Sequence, residues 1–298
     1  MTRAAALTGA VIISFSAIFY ALSEVDPVTG TFFRAAYALP VLFILWWVRR
    51  RDDHRSARSR WMAFGAGLIV ALDLISWQTS IDYIGTGLAT LIANLQVLIV
   101  AIVAWMVLGE EPSKGIKIAI PVVLVGVALV SGVGQAGAFG DDPLLGTLFA
   151  LAAAVLYAIF LLILRQSNKI QAPVAGPLLD ATAGTAVMTL LIGLIGPGIE
   201  FGFTWPAHGW LIVLAVGAFV GGWTLITYAL PRLQAVETST FVLIQPALTM
   251  LWGALIFIER PSGLQTLGAV IVLAGVGFVA VTQSMNQTGQ VELALEAS

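Results

Sequence analysis

The chain has 298 residues, 59% hydrophobic and 10% charged, with a net charge of −2 and a mean hydropathy of +0.97. An average soluble domain is about 25% charged, so a water-soluble globular fold is excluded. The absence of cysteine excludes disulfides, thiolate catalysis and cysteine metal sites.

Ten apolar segments follow along the chain, roughly at 4–22, 28–48, 61–80, 86–108, 116–132, 143–164, 174–196, 208–230, 235–257 and 264–283. Each is near the ~20 residues that a helix needs to cross a bilayer. The first resembles a signal peptide in its flanks, but its apolar run is too long for an h-region, so it reads as a retained first helix. Pro27, Pro112, Pro143, Pro173 and Pro261 stand at the joints. Most connections are short, which makes consecutive helices antiparallel neighbours.

The connections also carry the charge. On the side that holds the N-terminus fall twelve of the Lys and Arg residues, among them Arg49, Arg50, Arg51, Arg55, Arg58 and Arg60 in one run. The opposite side carries Arg260 alone, and Arg34 lies within a span. Basic loops stay cytoplasmic, so both termini are expected inside. The run "RRRDDHRSARSR" (49–60) could meet nucleic acid or anionic lipid; the simpler reading is a positive-inside loop. Trp46, Trp47, Trp61 and Trp105 near one set of span ends, and Trp205 and Trp210 near the other, match interfacial belts.

The chain repeats itself. "LGEEPS" (108–113) is echoed by "FIERPS" (257–262), with Glu110, Pro112 and Ser113 recurring as Glu259, Pro261 and Ser262 at a shift of 149. At the same shift Gln96 pairs with Gln245, and Val123, Leu124, Gly126, Val127 and Val130 match Val272, Leu273, Gly275, Val276 and Val279. Tyr20 and Tyr157 correspond at a shift of 137, and Gly30 and Gly176 at 146. Residues 1–135 and 140–285 therefore read as two copies of a five-helix unit, with 286–298 a cytoplasmic tail. Five is odd, so the second copy enters the membrane inverted. The expected fold is an all-α membrane protein, ten transmembrane helices as two inverted five-helix repeats. Inverted repeats mark secondary transporters, with the substrate site near the midplane where the repeats meet.

Each half carries a helix hairpin, a Glu-x-Pro-like turn and a Gly-rich last helix: "NLQVLIVAIVAWMVLGEEPS…LVGVALV" and "LIQPALTMLWGALIFIERPS…LAGVGFV". This resembles the EamA-type members of the bacterial drug/metabolite transporter superfamily, and among them the amino-acid exporters, the aromatic type included. The resemblance covers the whole chain and implies export of amino acids or related metabolites across the inner membrane. The first half departs from it with Val97 where the second has Pro246.

Ionisable residues inside apolar spans are functional candidates. Asp73 lies ~18 Å into the third segment at about 1.5 Å per residue. It reads as a proton relay, a partner for a substrate ammonium, or half of a structural pair. Arg34 reads as a carboxylate trap, as the partner of Asp73, Asp82 or Asp26, or as a snorkelling side chain. Asp180, its equivalent in the second half but shallower, reads as a charged coupling residue or as half of a structural ion pair. Asp73, Ser76, Trp77 and Ser80 share one helix face, as do Thr224, Thr227, Tyr228 and Pro231. Such stripes line a cavity or bond helix to helix. The cavity candidates are Ser16, Tyr20, Asp73, Trp77, Asn94, Gln96, Tyr157, Trp223, Tyr228 and Gln245; aromatic walls with a few polar anchors suit an amphipathic metabolite. Gln96 and Gln245 line the path or clamp the halves. The pairs Gly217/Gly221 and Gly268/Gly275 read as helix-packing surfaces.

Other motifs fail. "GVGQAG" (132–137) follows a membrane helix without a βαβ context, and "NQT" (286–288) sits in the predicted tail. No Walker A sequence, metal cluster or catalytic triad is present, so neither an enzyme, a cofactor, a metal, nucleic-acid binding nor a built-in ATPase is expected. The two glutamate turns are expected to cap the helices that follow them, Glu111 before the fifth and Glu259 before the tenth. A secondary transporter working by alternating access, as monomer or homodimer, is the leading expectation. A passive channel, or a transporter of another metabolite or drug class, is the alternative.

Overall fold

The computed structural model describes residues 2–108, 114–167, 175–196, 198–229 and 235–296, with side chains except at 101, 104, 107, 108, 114, 227–229, 235–242 and 283–296. Every regular element among them is helical. In order they are α1 (Thr2–Ser14), α2 (Ser16–Ser23), α3 (Pro27–Arg49) with a 3-10 turn (Arg50–Asp52), α4 (Ala57–Ala93), α5 (Gln96–Leu108), α6 (Lys114–Val130), α7 (Pro143–Ser167), α8 (Ala175–Ile195), α9 (Ala207–Ile212), a π-helical stretch (Val213–Gly222), α10 (Trp223–Ala229), α11 (Ala235–Ile256) and α12 (Gly263–Glu296).

The ten segments marked in the sequence come out differently. Seven helical runs among the described residues are long and apolar enough to cross a membrane, and Gly115–Val130 and Leu243–Ile256 are shorter apolar helices. The third and fourth segments run together as Ala57–Val100. At about 1.5 Å per residue that run would measure ~66 Å, twice a ~30 Å hydrocarbon core. Gly85 divides it, with φ +78° and ψ 171°, a left-handed conformation that only glycine adopts cheaply. The lateral surface is apolar, with Ile44, Val48, Leu194 and Ile195 all strongly exposed. Lipid is the solvent that suits such a surface, and the chain is a multi-pass membrane protein.

Local chemistry sets the helix ends. Asp26 caps α3, its Oδ1 accepting the Val28 and Thr29 N–H groups at 2.9 and 3.0 Å, with Pro27 in the first position. Ser262 and Gln265 form a reciprocal capping box at the start of α12: the Ser262 Oγ accepts the Gln265 N–H, and the Gln265 Oε1 accepts the Ser262 N–H. Glu259 therefore does not cap α12, contrary to the sequence expectation. Glu110 and Glu111 lie outside the described residues.

Helices pack across the chain's midpoint. α3 lies against α8, α6 against α12, α7 against α4, and α1 against α10 and α11. Small residues permit the closest crossings. A Cβ at Gly67 would collide with the Ala181 carbonyl, and one at Gly184 with the Phe64 carbonyl, while the Thr185 Oγ1 donates to the Gly67 carbonyl at 3.1 Å. Gly268 and Gly275 pack against α6 as expected. Among the described residues, Gly217 and Gly221 meet no other helix; in their region it is Gly222 that abuts Gly9 and Ile13 of α1.

Hydrogen bonds gather the turns at 24–29, 83–87, 131–142, 198–206 and 257–265 at one end. The Tyr20 hydroxyl donates to Asp82, the Glu200 N–H to the Thr29 Oγ1, the Asp141 N–H to the Tyr83 carbonyl and the Phe139 N–H to the Gln265 Oε1. We call this the latched end. The other carries the 49–60 run and is called the arginine-rich end.

That run is folded onto the helices rather than left in solvent. Arg55, with a side chain 1% exposed, bridges Asp53 at 2.8 Å and Asp180 at 2.9 Å. Trp46 donates to Asp53 as well. The hydrogen bonds from Arg55 hold the Asp53 carboxyl down at about 2, against the opposing effect of burial.

Candidate functional site

A cavity of about 280 Å³ opens between the two halves of the chain, lined by residues of α1, α2, α3, α4, α5, α7, the π-helical stretch, α10 and α11. Broken helices surround it. α1 and α2 separate at Phe15, where the freed Ser14 carbonyl accepts the Thr249 hydroxyl at 2.8 Å, and the Ser14 Oγ accepts the Trp252 Nε1–H at 3.0 Å. Ser16 sits just past that break. α4 and α5 separate at Asn94–Leu95, where the bonding tightens to i→i+3 as Leu95 N–H donates to Ile92 and Val97 N–H to Asn94. This first-half bend forms with Val97 and needs no proline. The π-helical stretch brings Ala218 and Phe219 to the wall, and π geometry inside helices is frequent at functional sites. Irregular backbone at membrane depth is tolerated where it lines a cavity.

Two opposite charges face this space, Arg34 from α3 and Asp73 from α4. Asp73 is 5% exposed. Among the described residues no carboxylate comes within 4.0 Å of the Arg34 guanidinium, and no side chain hydrogen-bonds Asp73. The guanidinium instead stands 5.1 Å over the Phe219 ring. The structural pairings weighed in the sequence for Arg34 are thus not made as direct contacts.

Of the sequence candidates, the structure brings Ser16, Arg34, Asp73, Trp77, Asn94, Gln96, Tyr157, Trp223 and Gln245 to the cavity. Tyr20 lies elsewhere: its buried hydroxyl is spent on Asp82 at 3.2 Å, at the latched end. Asp180 lies elsewhere too, at the arginine-rich end, 2.9 Å from Arg55 and 3.4 Å from Arg60. The Arg55 approach is an ion pair without good hydrogen-bond alignment, since among the described residues the Asp180 Oδ2 has no hydrogen-bond donor in line. The side chain of Tyr228 lies outside the described ones. The polar stripe of α4 divides by function: Asp73 and Trp77 face the cavity, while Ser80 donates to the Gly146 carbonyl on α7.

Leu74, Thr90, Ala218 and Phe219 also line the cavity. Nothing in the sequence sets the three apolar ones apart from lipid-facing neighbours. Thr90 is not one of the surprises, since the sequence places it in a polar stripe with Thr86 and Asn94; among the described residues its buried Oγ1 has no hydrogen-bond partner. An adjoining recess of about 80 Å³ runs on between α3, α4, α7 and α8, past Arg34, Tyr157 and Trp223 toward Leu178 and Thr182.

The comparisons with known proteins agree with this architecture. The model of the EamA-like transporter family matches the chain twice, over residues 3–132 and 144–281. An uncharacterized transporter of Clostridium kluyveri is 27% identical over 213 residues, 70% of this chain and 68% of the relative. An uncharacterized transporter of Synechocystis is 23% identical over 230 residues, 77% of this chain and 69% of the relative. A crystal structure with 17% sequence identity superposes with a TM-score of 0.61, covering 96% of this chain and 98% of its own, and shares the fold. With both matched stretches together spanning most of its length, the chain belongs to the EamA-like transporter family, within the drug/metabolite transporter superfamily.

Proposed function

We propose that the chain is a secondary transporter that exports amino acids or related small metabolites across the bacterial inner membrane by alternating access. The observation that carries this reading is the pair Arg34 and Asp73, a base and an acid lining one cavity, neither making a direct ion pair among the described residues. Charges inside a membrane are costly without partners. A zwitterion supplies both partners at once, a carboxylate for Arg34 and an ammonium for Asp73, while Phe219, Trp77 and Trp223 offer apolar and cation–π surface.

Two further features support the alternating-access part. Splitting Ala57–Val100 at Gly85 and adding the two shorter apolar helices brings the passages to ten. Repeat counterparts also meet each other, α3 with α8 at a shift of 146 and α6 with α12 at 149, as helices beside a twofold axis in the membrane plane do. The arginine-rich end is then cytoplasmic and the latched end external.

Reconstituted liposomes test the reading. Labelled amino acids should enter protein-containing vesicles with saturation, and a trans load of unlabelled substrate should accelerate entry. Movement no faster than through empty vesicles overturns the amino-acid assignment, and unsaturated flux without counterflow points to a channel instead.

A further inference from the structure

We infer that Glu259 is a positioning residue for transport, holding the Thr86–Asn94 wall of the cavity in place and closing the cavity toward the latched end. The inference rests on the alternating-access reading above.

The Glu259 side chain reaches from the turn between α11 and α12 into the break at Gly85, meeting Thr86, 173 residues away in sequence. One carboxylate oxygen accepts the Thr86 N–H at 2.6 Å and the Thr86 hydroxyl at 2.8 Å; the other accepts the Gly87 N–H at 3.1 Å. These are orphan donors at a helix start, and a negative charge suits the positive end of the helix dipole. The residue is 8% exposed. Among the described residues no cation pairs with it, so neutral donors alone hold the charge.

The surroundings are shaped for that carboxylate. A Cβ on Gly85 would fall 2.7 Å from the Glu259 carboxyl carbon, one on Gly87 would fall 3.2 Å from Oε2, and one on Gly253 would overlap it. Ile258, immediately before, takes φ +57°. A β-branched residue in the left-handed region is an outlier that costs ~1–3 kcal/mol and persists only where its surroundings enforce it. Here the strained turn aims Glu259 inward.

The capped helix is short. It begins at Thr86 and ends at the Asn94–Leu95 break, so Thr90, Ala93 and Asn94 on the cavity wall lie within two turns of the latch. Leu88, Leu91 and Ile92, at most 1% exposed, seal the space around this segment. Motion at Thr86 is therefore carried along a rigid rod to the substrate cavity, and opening at this end requires Glu259 to exchange its three donors for water.

The cysteine-free sequence makes the test direct. A single reporter, Ala93→Cys, is placed in the otherwise native chain and in Glu259→Gln, Glu259→Ala and Thr86→Val versions, all in liposomes. A membrane-impermeant thiol reagent is applied to one face at a time. Loss of the latch should raise labelling from the latched face at least tenfold in Glu259→Ala, and by less in Glu259→Gln and Thr86→Val, with labelling from the opposite face unchanged. Equal increases from both faces, or no change in any variant that inserts, overturn the inference. If native vesicles move no amino acid but the one-sided labelling response is present, the substrate reading fails and the latch stands. If transport is normal and the response is absent, the reverse holds.

Discussion

Two acidic residues tie the halves of this chain together, one at each end, and they do so by different chemistry. Glu259 at the latched end accepts two backbone N–H groups and one hydroxyl. Asp180 at the arginine-rich end sits against Arg55 and Arg60. Removing Glu259 leaves neutral donors that water can satisfy. Removing Asp180 leaves Arg55 buried at 1% exposure with one carboxylate fewer and an Nη1 that already lacks a partner. Breaking one side of a buried ion pair is far costlier than removing both. The difference separates a contact built to be exchanged from one built to hold.

The largest expected effects fall at the α4–α8 crossing and at the arginine-rich end. Gly67→Val should push α4 from α8, because its first carbon already collides with the Ala181 carbonyl. A loss of ~3 kcal/mol or more is expected from overpacking at a backbone contact. Asp180→Ala should cost ~2–3 kcal/mol, below the full penalty for breaking a buried pair because Asp53 still holds Arg55. Glu259→Ala should cost less, ~1–2 kcal/mol for the lost cap. Apparent melting midpoints in one detergent give the ranking; a Glu259→Ala midpoint below that of Asp180→Ala reverses the comparison drawn between the two ends.

Next in size are effects on ligand rather than on fold. Arg34→Gln should weaken binding of an amino acid at least tenfold, about 1.4 kcal/mol, and leave the corresponding amine without a carboxylate unaffected. Asp73→Asn should do the opposite, sparing the analogue that lacks the ammonium. Thermal shift against each analogue reads this directly. Equal losses for every ligand in both variants would make the two charges structural.

Half of the residues lining the cavity were legible in the sequence, because polar and aromatic residues inside apolar spans have no reason to face lipid. Nine of the candidates named there line it, Arg34 among them. Tyr20 misled because spacing gives depth in the membrane but not the partner across the bundle, and its partner is Asp82; Asp180, read as an ion-pair candidate, does pair, with Arg55. Glu259 misled similarly. A glutamate before a helix reads as that helix's cap, and nothing local reveals that Gly85 offers a second helix start. Phe219 and Ala218 were invisible, since an apolar side chain on a cavity wall looks like one facing lipid.

The smallest effect sharpens the same contrast through pH. Asp53 has its carboxyl lowered from 3.8 to about 2 by the hydrogen bonds of Arg55 and Trp46. A depressed acid contributes stability that is fully present above its unfolded value and is lost as pH falls through its folded one. The Asp53 contribution, ~1 kcal/mol or less after solvent screening, should thus be intact at pH 5 and decline between pH 4 and 2. Asp53→Asn should flatten that part of the pH–midpoint curve relative to the native chain. Trp46→Phe, which removes only one of the donors, should shift the decline upward in pH by less than the full depression. If Asp53→Asn leaves the curve below pH 4 unchanged, Asp53 contributes nothing to holding Arg55, and the comparison between the two ends reduces to Asp180 against Glu259.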